Sequence, residues 1–560
     1  MDPNALIYAL AAAGSGTAAL ALTKLKSRVA LSRAKHRSLA GHARMSRLMA
    51  RLVPYYAYDA DEFFQVDDAP PDIVAKRRAG FQRLAALYAS RYPKTRSMTA
   101  ELRDSLSDLQ FTSIYRVPFQ FSAHVRDHLG TGSIVTEASG VTLTDLDGNV
   151  AYDLTGSYGV NVFGVDFYKT CMATGARTAE DVGLVLGAYI PCVIDNAQKL
   201  RAISGLDEVS FHMSGTEAVM QAVRLARYNT GRRFVVRFAG AYHGWWGDVQ
   251  PGVGNPTPAR DTLTLAEMSE RTLSVLRARD DIACVLVNPI QMLHPNGSPP
   301  GDSALLDGVG RRDVTRAEYA AWLKALREVC SARGIALIFD EVFVGFRIAR
   351  RGAQEYFGVE ADMVTYGKTI AGGLPIGVVC GRRQFMKRFR GDRPADICLA
   401  RGTFNAHPLV MASMHAFFQR LDEPDMRALY AGLDELWTAR ANALNARLRQ
   451  EALPIEIAHL SSIWTICHTE KSRYHWMFQY YLRAEGLALP WTGSGRLIFS
   501  LNFTDQDFAN VVDRFVGAAM AMREDGWFWQ NPRPTRVTIK RRVLYEMLSV
   551  SLRRRSRRRA

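Results

Sequence analysis

Short apolar runs alternate with amphipathic segments through the middle of the chain. Residues 283–288 are apolar up to Asn288, residues 335–339 are apolar throughout, and residues 316–332 carry apolar side chains at helical spacing. Continuous apolar runs are typical of strands buried on both faces of a sheet, and their alternation with helices is typical of parallel sheets. The pattern therefore predicts an α/β fold with a mostly parallel central sheet and helices on both faces.

Three other patterns extend this prediction. Residues 141–153 (VTLTDLDGNVAYD) read as a hairpin whose turn is Asp147-Gly148-Asn149. Residues 72–92 carry apolar positions at helical spacing. Residues 451–529 contain apolar runs near Ile463 and Phe499 followed by a helical pattern over 505–523, which predicts a smaller α+β C-terminal domain.

Charge is concentrated at the two ends of the 560-residue chain. The net charge is +16, of which residues 1–51 contribute +8 and residues 536–560 contribute +9, so the middle of the chain is near −1. Aromatic residues do not interrupt the arginine runs, which argues against a stacking platform for nucleic acid. The basic ends leave two interpretations open, an anionic membrane surface or a solvated interaction tail.

Apolar residues accompany the basic ones at both ends. Residues 5–23 form an uncharged run about as long as a membrane-spanning helix, followed by positive charges that would keep the rest of the chain in the cytoplasm. Residues 543–552 lie between basic clusters and could rest as a helix on anionic lipid. We therefore expect a cytoplasmic catalytic part, anchored to or peripheral on the inner face of the membrane.

The number and spacing of the cysteines and histidines argue against disulfide bonds and metal sites. Seven cysteines are scattered without a CxxC pair, and the twelve histidines show no metal-ligand spacing. An odd number of scattered cysteines argues against a disulfide framework and a zinc site, and suits a reducing compartment. No metal is predicted.

The segment 364–381 (VTYGKTIAGGLPIGVVCG) holds one charged residue, Lys368. Apolar surroundings lower the pKa of a lysine, and the free amine then becomes a nucleophile toward carbonyl groups. A lysine that extends from a strand end into solvent would give the same pattern. Segments elsewhere in the chain favour the nucleophile.

Three segments supply partners for such a lysine. The segment 337–347 (LIFDEVFVGFR) has a buried-strand pattern that ends in two adjacent carboxylates, Asp340 and Glu341. A carboxylate at such a strand end needs a cationic partner, such as a protonated pyridine nitrogen. Ser214, Gly215 and Thr216 precede a helical pattern and would form a phosphate cradle at the helix start. The loop FAGAYHGWWGD then places the aromatic residues Tyr242 and His243 between glycines.

In this order and spacing, the four segments resemble the class III, fold-type-I enzymes that use pyridoxal 5′-phosphate, and most closely the glutamate-1-semialdehyde 2,1-aminomutase branch. The resemblance covers residues 119 to 529. It implies that Lys368 forms the aldimine with the cofactor and shuttles the catalytic proton, and that Asp340 pairs with the pyridinium nitrogen. It further implies a set of cofactor contacts, namely Ser214, Gly215, Thr216, Tyr242, His243, Val342, Gln291 and Thr403.

The turn Arg401-Gly402-Thr403-Phe404 is similar to the family's Gly-Thr turn, whose threonine reaches the cofactor phosphate of the neighbouring subunit. The resemblance therefore implies a homodimer with shared active sites. Contact with substrate is predicted, with a surface or core role as the alternative, for Ser113, Arg116 and Tyr158.

Combined with the patterns above, the resemblance predicts five parts. Residues 1–51 are a candidate membrane anchor, and 52–118 a helical or linker extension without an assigned role. Residues 119–404 hold an N-terminal segment and the large cofactor-binding domain, 405–530 the smaller domain, and 531–560 the basic tail.

Some positions depart from the aminomutase pattern. Asn288-Pro289 stands where the family usually has Glu-Pro, Tyr158 stands for a tryptophan, and the segment 493–508 lacks a glutamate near the substrate. We therefore predict an aminotransferase that uses an external amino donor and a ketone or aldehyde acceptor, which could be lipid-like or carrier-bound. The alternatives are an intramolecular aminomutase and a catalytically inactive, membrane-tethered scaffold.

Overall fold

A computed structural model describes residues 21–114, 117–290, 314–490, 495–530 and 536–557. In these ranges the helices before the central sheet are α1 (21–34), α2 (Ala43–Leu52), α3 (Pro71–Arg91), α4 (Pro93–Arg103), α5 (Ser107–Ile114), α6 (Phe119–Leu129), α7 (Val165–Thr178) and α8 (Cys192–Ser204). Those that follow are α9 (Gly215–Thr230), α10 (Glu270–Ala278), α11 (Arg316–Arg333), α12 (Ala353–Phe357), α13 (Arg383–Met386), α14 (Pro408–Leu421), α15 (Pro424–Ala428), α16 (Leu433–Gln450), α17 (Phe478–Ala484), α18 (Asp505–Glu524) and α19 (Arg536–Arg557).

The central sheet has seven strands within the described ranges, in the order β4-β10-β9-β8-β7-β5-β6. Strand β10 runs antiparallel to both neighbours, and the pairs from β9 to β6 are parallel. The predicted α/β fold with a mostly parallel sheet is thus confirmed. The strands are β4 (Glu208–His212), β5 (Phe234–Phe238), β6 (Thr262–Leu265), β7 (Ile282–Val287), β8 (Ala336–Asp340), β9 (Met363–Gly367) and β10 (Gly377–Gly381).

Both faces of this sheet are buried, which explains the continuous apolar runs. In β8, Ala336 and Ile338 join one hydrophobic cluster, which includes α9. Leu337 and Phe339 join a second, larger cluster on the other face. Because side chains alternate along a strand, only an all-apolar strand can fill both clusters.

Three smaller sheets surround the central one in the described part of the chain. The predicted hairpin forms β2 and β3, and joins β1 and β15 in a four-stranded sheet. A three-stranded sheet, β13-β14-β16, packs with α16 and, through Trp464 and Phe508, with α18, and β11 pairs with β12. Their bounds are β1 (Val135–Ser139), β2 (Thr142–Asp145), β3 (Val150–Asp153), β11 (Phe389–Arg390), β12 (Arg393–Ile397), β13 (Ile455–Leu460), β14 (Ile463–His468), β15 (Leu487–Ala488) and β16 (Arg496–Ile498).

The extension before residue 119 wraps around the C-terminal part of the chain. Arg77 of α3 is fully buried, pairs with Asp67 at 2.7 Å, and donates from Nε to the carbonyl oxygen of Gly526 at 3.0 Å. The hydroxyl of Tyr474 donates to the carbonyl oxygen of Phe63 at 2.7 Å. These contacts give the extension a structural role that its sequence did not reveal.

The basic tail is folded back onto the same extension by one acidic residue. Glu546 of α19 accepts hydrogen bonds from the hydroxyls of Tyr56 (2.9 Å) and Tyr58 (2.6 Å), and pairs with the buried Arg473 at 2.8 Å. Burial raises the pKa of Glu546, but the hydrogen bonds from these three donors and the charge of Arg473 together outweigh it, so the pKa of the carboxyl is lowered. We call this group the Glu546 latch.

Breaking the Glu546 latch is expected to release α19. In Glu546→Ala, Arg473 keeps a buried charge without its carboxylate, a change that typically destabilises by about 3–5 kcal/mol. Limited proteolysis and hydrogen exchange should then detect opening of residues 536–557. The matched control is Asp68→Asn, which removes the exposed ion pair between Asp68 and Arg542 of the same helix and should cost about 1 kcal/mol or less. Equal protection in both variants would contradict the latch.

Within the described residues, none of the helices combines the length and the apolar character needed to cross a membrane. The predicted apolar run 5–23 lies almost entirely outside those residues. Of the tail predicted to rest on lipid, one face is in contact with protein, because Val543 and Ile539 are buried beside Met547.

Candidate active site

Lys368 directly follows β9 and begins a 3-10 turn that ends at Ala371. Its φ of 53° lies in the left-handed region, which a non-glycine residue rarely adopts and which often marks functional sites. Burial lowers the pKa of its ammonium group, Asp340 opposes this effect, and Arg347 adds to it. The direction of this shift favours the free amine that the sequence analysis expects at Lys368.

Asp340 ends the neighbouring strand β8, where its backbone pairs with Thr365 of β9. Its carboxylate accepts from the Thr365 hydroxyl at 3.2 Å, from the Val342 amide at 3.2 Å and from Nδ1 of His243 at 2.7 Å. The carboxyl ends of parallel strands meet at one edge of a sheet. This edge brings Asp340 close enough to Lys368 to act on its charge.

His243 is a buried partner of Asp340. Burial lowers the pKa of its imidazole, although the hydrogen bond to Asp340 opposes the change. A neutral imidazole that donates from Nδ1 has an accepting Nε2, and this buried atom has no hydrogen-bond partner in the described structure. The preceding residue, Tyr242, is 62% exposed, so its ring is available at the surface of the site.

The predicted phosphate cradle forms the N-terminus of α9. The Ser214 hydroxyl caps the helix by accepting from the Glu217 amide at 3.2 Å. The next two residues, Gly215 and Thr216, lie close to Val342 and to the loop of His243, respectively. A Cβ atom on Gly215 would lie 2.7 Å from Cγ1 of Val342, and one on Gly244 would lie 2.5 Å from Oγ1 of Thr216. The cradle, Val342 and the loop of His243 therefore converge beside Lys368.

The loop that contains Tyr158 passes next to the same lysine. A Cβ on Gly159 would lie 2.4 Å from the ring of Phe343 and 3.5 Å from Cδ of Lys368. Tyr158 itself has a φ of 57° and is 48% exposed. The structure thus brings the loop of Tyr158 near Lys368, and contact between Tyr158 and a substrate stays a prediction.

Arg347 is a site residue that the sequence analysis missed. It is fully buried and donates to the carbonyl oxygens of Phe499 (2.7 Å) and Asn161 (2.9 Å) and to the Ser462 hydroxyl (3.0 Å). It thereby ties the loop of Tyr158 to the C-terminal part of the chain. The signal was available, since Arg347 is a charged residue directly after the uncharged, apolar stretch 342–346.

The other predicted residues lie elsewhere or outside the described ranges. Thr403 lies on an exposed turn between β12 and α14. Ser113 is in α5 of the extension. Arg116 and Gln291 lie outside the described residues, so their predicted contacts remain predictions.

A cavity of about 550 Å³ lies apart from this edge of the sheet. It is bounded by α4, α6, the β2–β3 hairpin and α17, and its lining includes Arg103, Arg126 and Arg483. The candidate active site is therefore defined by its side chains rather than by this cavity.

Glu341, adjacent to Asp340, points away from the site and accepts from the Ala353 amide at 2.7 Å. Burial raises the pKa of this carboxyl from 4.5 to about 8. Its protonated form is therefore favoured by folding, and the resulting stability is complete below pH 4.5 and is lost as the pH rises through 8.

Replacing Glu341 by glutamine should remove this pH dependence. Between pH 6 and pH 9 the wild-type chain should lose about 3 kcal/mol of unfolding free energy relative to Glu341→Gln, because the loss continues only up to the folded pKa of about 8. Urea-unfolding midpoints of both proteins at each pH measure the difference. Parallel pH profiles would show that Glu341 is not protonated in the folded state.

The fold and this group of residues define a fold-type-I enzyme of the pyridoxal-phosphate class. The model of the family "Aminotransferase class-III" matches residues 123–250 and 315–519. The chain belongs to the class III aminotransferases, and the predicted family and enzyme class are thereby confirmed. Pyridoxal 5′-phosphate is the cofactor of this family, as predicted.

Individual relatives agree with this membership. A glutamate-1-semialdehyde 2,1-aminomutase of Nitratidesulfovibrio vulgaris (strain DP4) is 31% identical over 417 residues, which are 71% of this chain and 95% of that protein. A transaminase solved with pyridoxal phosphate bound is 27% identical with a TM-score of 0.61, over 79% of this chain and 98% of the other. A glutamate-1-semialdehyde aminomutase from Pseudomonas aeruginosa PAO1 shares the fold, at 20% identity and a TM-score of 0.62 over 81% and 99%.

The residues present fit pyridoxal phosphate. A capped 16-residue helix presents its N-terminus to the site, which suits a phosphate group. Close packing at Gly215 leaves no room for a side chain there. A buried carboxylate, an amine with a lowered pKa and the unpartnered Nε2 of His243 complete a donor and acceptor set that this cofactor could use.

Proposed function

We propose that this chain is an aminotransferase that moves an amino group from an external donor to a ketone or aldehyde. The observation that carries the proposal is the placement of Lys368 and Asp340 at the carboxyl ends of adjacent strands, β9 and β8. When bound, pyridoxal phosphate supplies an electron sink for the bond-breaking at the amino-bearing carbon.

The chain's own residues have distinct proposed roles. The amine of Lys368 binds the cofactor aldehyde and, once released, carries the proton to and from the substrate carbon. Asp340 holds a negative charge facing the ring nitrogen, and His243 orients that carboxylate through its 2.7 Å hydrogen bond. The N-terminus of α9, with Ser214, Gly215 and Thr216, binds the phosphate.

Other residues would hold the ring and the substrate. Tyr242 and Val342 would contact opposite ring faces, and Gln291 would reach the ring hydroxyl. Tyr158 lies in the loop beside Lys368 and would contact the substrate. We keep Ser113 and Arg116 as predicted carboxylate contacts.

Two observations favour transfer between molecules over an intramolecular mutase reaction. Tyr158 occupies a position where the aminomutase pattern has tryptophan, and the segment 493–508 has no glutamate at the position expected near the substrate. Similarity to proteins named glutamate-1-semialdehyde 2,1-aminomutase supports the alternative, intramolecular transfer. The inactive scaffold is disfavoured by the set of site residues described above.

We also propose that the working unit is a homodimer with shared active sites. Large apolar side chains are exposed near the site or on the turn of Thr403, namely Tyr242 (62%), Trp245 (76%), Leu399 (76%) and Phe404 (50%). Exposed apolar patches of this kind mark interaction surfaces. The Thr403 turn would then reach the phosphate site of the second subunit, and sedimentation should give twice the chain mass of 62.4 kDa.

We infer further that the enzyme works at the cytoplasmic face of an anionic membrane. The basic, partly apolar ends support this inference, and a lipid-like or carrier-bound acceptor would fit such a location.

Half-reactions with single amino donors test the catalytic proposal. The holoenzyme is mixed with one amino acid at a time, and the visible spectrum of its cofactor is recorded. Conversion to the spectrum of the amino form by a simple amino acid is the expected result and identifies the donor. A spectrum that ignores amino acids but responds to an amino-aldehyde would support the mutase, and a chain without any cofactor band would support the scaffold.

A further inference from the structure

Helix α2 carries an apolar stripe that no part of the described chain covers. Met45, Leu48, Met49 and Leu52 follow the spacing i, i+3, i+4, i+7 and are 42–63% exposed. None of the ten residues of α2 is buried. An amphipathic helix in a globular fold normally turns such a stripe toward the core, so this α2 stripe requires another partner.

The charges around the α2 stripe are all positive. Arg44, Arg47 and Arg51 lie between the apolar positions, and the sequence has no acidic residue between Asp2 and Asp59. The preceding helix α1 is similar, with exposed Leu22 and Leu25 beside Lys24, Lys26 and Arg28. Apolar and basic residues on one short helix are the combination that binds in the plane of an anionic lipid surface.

Fixed contacts join α2 to the catalytic part of the chain on both sides. Before α2, the buried Ala34 accepts at its carbonyl oxygen from the Ala266 amide at 2.8 Å. After α2, Tyr58 donates from its amide to Gln120 at 3.0 Å and belongs to the Glu546 latch. The chain is thus tied to the folded part on both sides of α2, while α2 itself has no buried residue.

The first of these contacts lies at the functional edge of the sheet. Ala266 follows the carboxyl end of β6, and β6 is three strands from β8, which ends in Asp340. At the usual spacing of parallel strands this separation is about 14 Å. A surface bound by α2 would therefore lie near the edge that carries Lys368.

Helix α19, the other basic segment, is arranged differently. Its inner face is occupied by the Glu546 latch and by Ile539 and Val543. Its outer face exposes Leu544 and Leu548, so it can assist binding, but it is already held by protein contacts.

We propose that α2 lies in the plane of an anionic lipid leaflet, with the α2 stripe among the acyl chains and its arginines at the headgroups. This inference rests on the membrane location in the proposed function and assigns that location to one helix. It holds the carboxyl edge of the central sheet at the lipid surface, where an apolar carbonyl substrate would be delivered. A second copy of the chain is the competing occupant of the stripe.

Vesicle binding by the full-length holoenzyme tests the proposal. Co-sedimentation is measured with phosphatidylcholine vesicles and with vesicles that also contain phosphatidylglycerol. The stripe variant is Met45→Gln/Leu48→Gln/Met49→Gln/Leu52→Gln, because glutamine removes apolar surface but keeps helix propensity. The matched control changes four exposed apolar residues of α19, Val537→Gln/Leu544→Gln/Tyr545→Gln/Leu548→Gln.

We expect the stripe variant to bind anionic vesicles at least about tenfold more weakly, and the α19 control to change much less. Arg44→Gln/Arg47→Gln/Arg51→Gln should lose about fivefold per arginine on anionic vesicles and little on neutral ones. The cofactor spectrum and the dimer mass should stay unchanged in all variants.

Three results would overturn the inference. Undiminished binding by the stripe variant would move the contact to another segment, including residues 1–20, and leave the proposed membrane location intact. A loss of dimer mass without any effect on vesicles would assign the stripe to a second copy. If the wild-type protein itself ignores anionic vesicles, the proposed membrane location fails as well, while the half-reactions still test the aminotransferase.

Discussion

Replacing Lys368 with alanine is expected to lower turnover by at least about 1,000-fold and to abolish covalent retention of the cofactor. The residue has two proposed roles, as the amine that binds the cofactor and as the group that transfers the proton, and loss of a general base alone typically costs 100- to 10,000-fold. Half-reaction rates measure the first effect. Borohydride treatment followed by peptide mapping measures the second, since the wild-type protein should carry the label on Lys368.

The matched control is Lys324→Ala, which changes an exposed lysine of α11 and should leave rates and labelling unchanged. An added primary amine should partly restore proton transfer in Lys368→Ala, because the cavity left by the side chain lies where the amine acted. A label on another lysine in the wild-type protein, or a variant with near-normal turnover, would remove Lys368 from the centre of the site.

The sequence predicted those parts of the site whose position follows from a local pattern, such as the end of an apolar strand or the start of a helix. Apolar runs identified the strands that end at Asp340 and precede Lys368, and parallel topology brings such strand ends together. The sequence likewise predicted the start of α9 at Ser214, Gly215 and Thr216, because a helical pattern follows them directly. Each of these segments is short, and its apolar or helical pattern can be recognised from neighbouring residues alone.

The parts that the sequence missed depend on contacts between distant segments. Arg347 reaches the carbonyl oxygen of Phe499, 152 residues away, and Glu546 reaches Tyr58, 488 residues away. In the sequence, Glu546 is a single acidic residue in a basic tail, and its contacts with Arg473, Tyr56 and Tyr58 exist only in the folded chain. The structural role of the extension, 52–118, depends on such contacts, since Arg77 donates to the carbonyl oxygen of Gly526 and Tyr58 accepts from Arg473.

The same distinction explains the two ends of the chain. Their charge and apolar content predicted a membrane surface for both ends. Composition alone cannot distinguish the two, because it does not show which face of a helix is covered by protein. In α19 the inner face contacts protein, whereas in α2 the whole apolar stripe is exposed. The structure therefore separates two segments that their composition made equivalent.

Replacing Asp340 with asparagine is expected to lower turnover by roughly 100- to 1,000-fold while the cofactor still binds. Asparagine can accept the hydrogen bonds from Thr365 and Val342, so the local backbone should persist. The variant lacks the negative charge that would keep the ring nitrogen protonated, and removal of one such electrostatic group typically has an effect of this size. Single-turnover half-reactions measure the loss, and the visible spectrum checks that the cofactor remains.

Glu341→Gln is the control that makes the result specific, because it alters the adjacent buried carboxyl without touching the site. Glu341 is protonated at neutral pH according to its raised pKa, so glutamine resembles its natural state and turnover should change less than about twofold. His243→Asn adds a second test, since removing the partner of Asp340 should shift the pH profile of the half-reaction rather than abolish it. If Asp340→Asn and Glu341→Gln behave alike, the charge at Asp340 has a structural role, and the proposed pairing with the ring nitrogen is wrong.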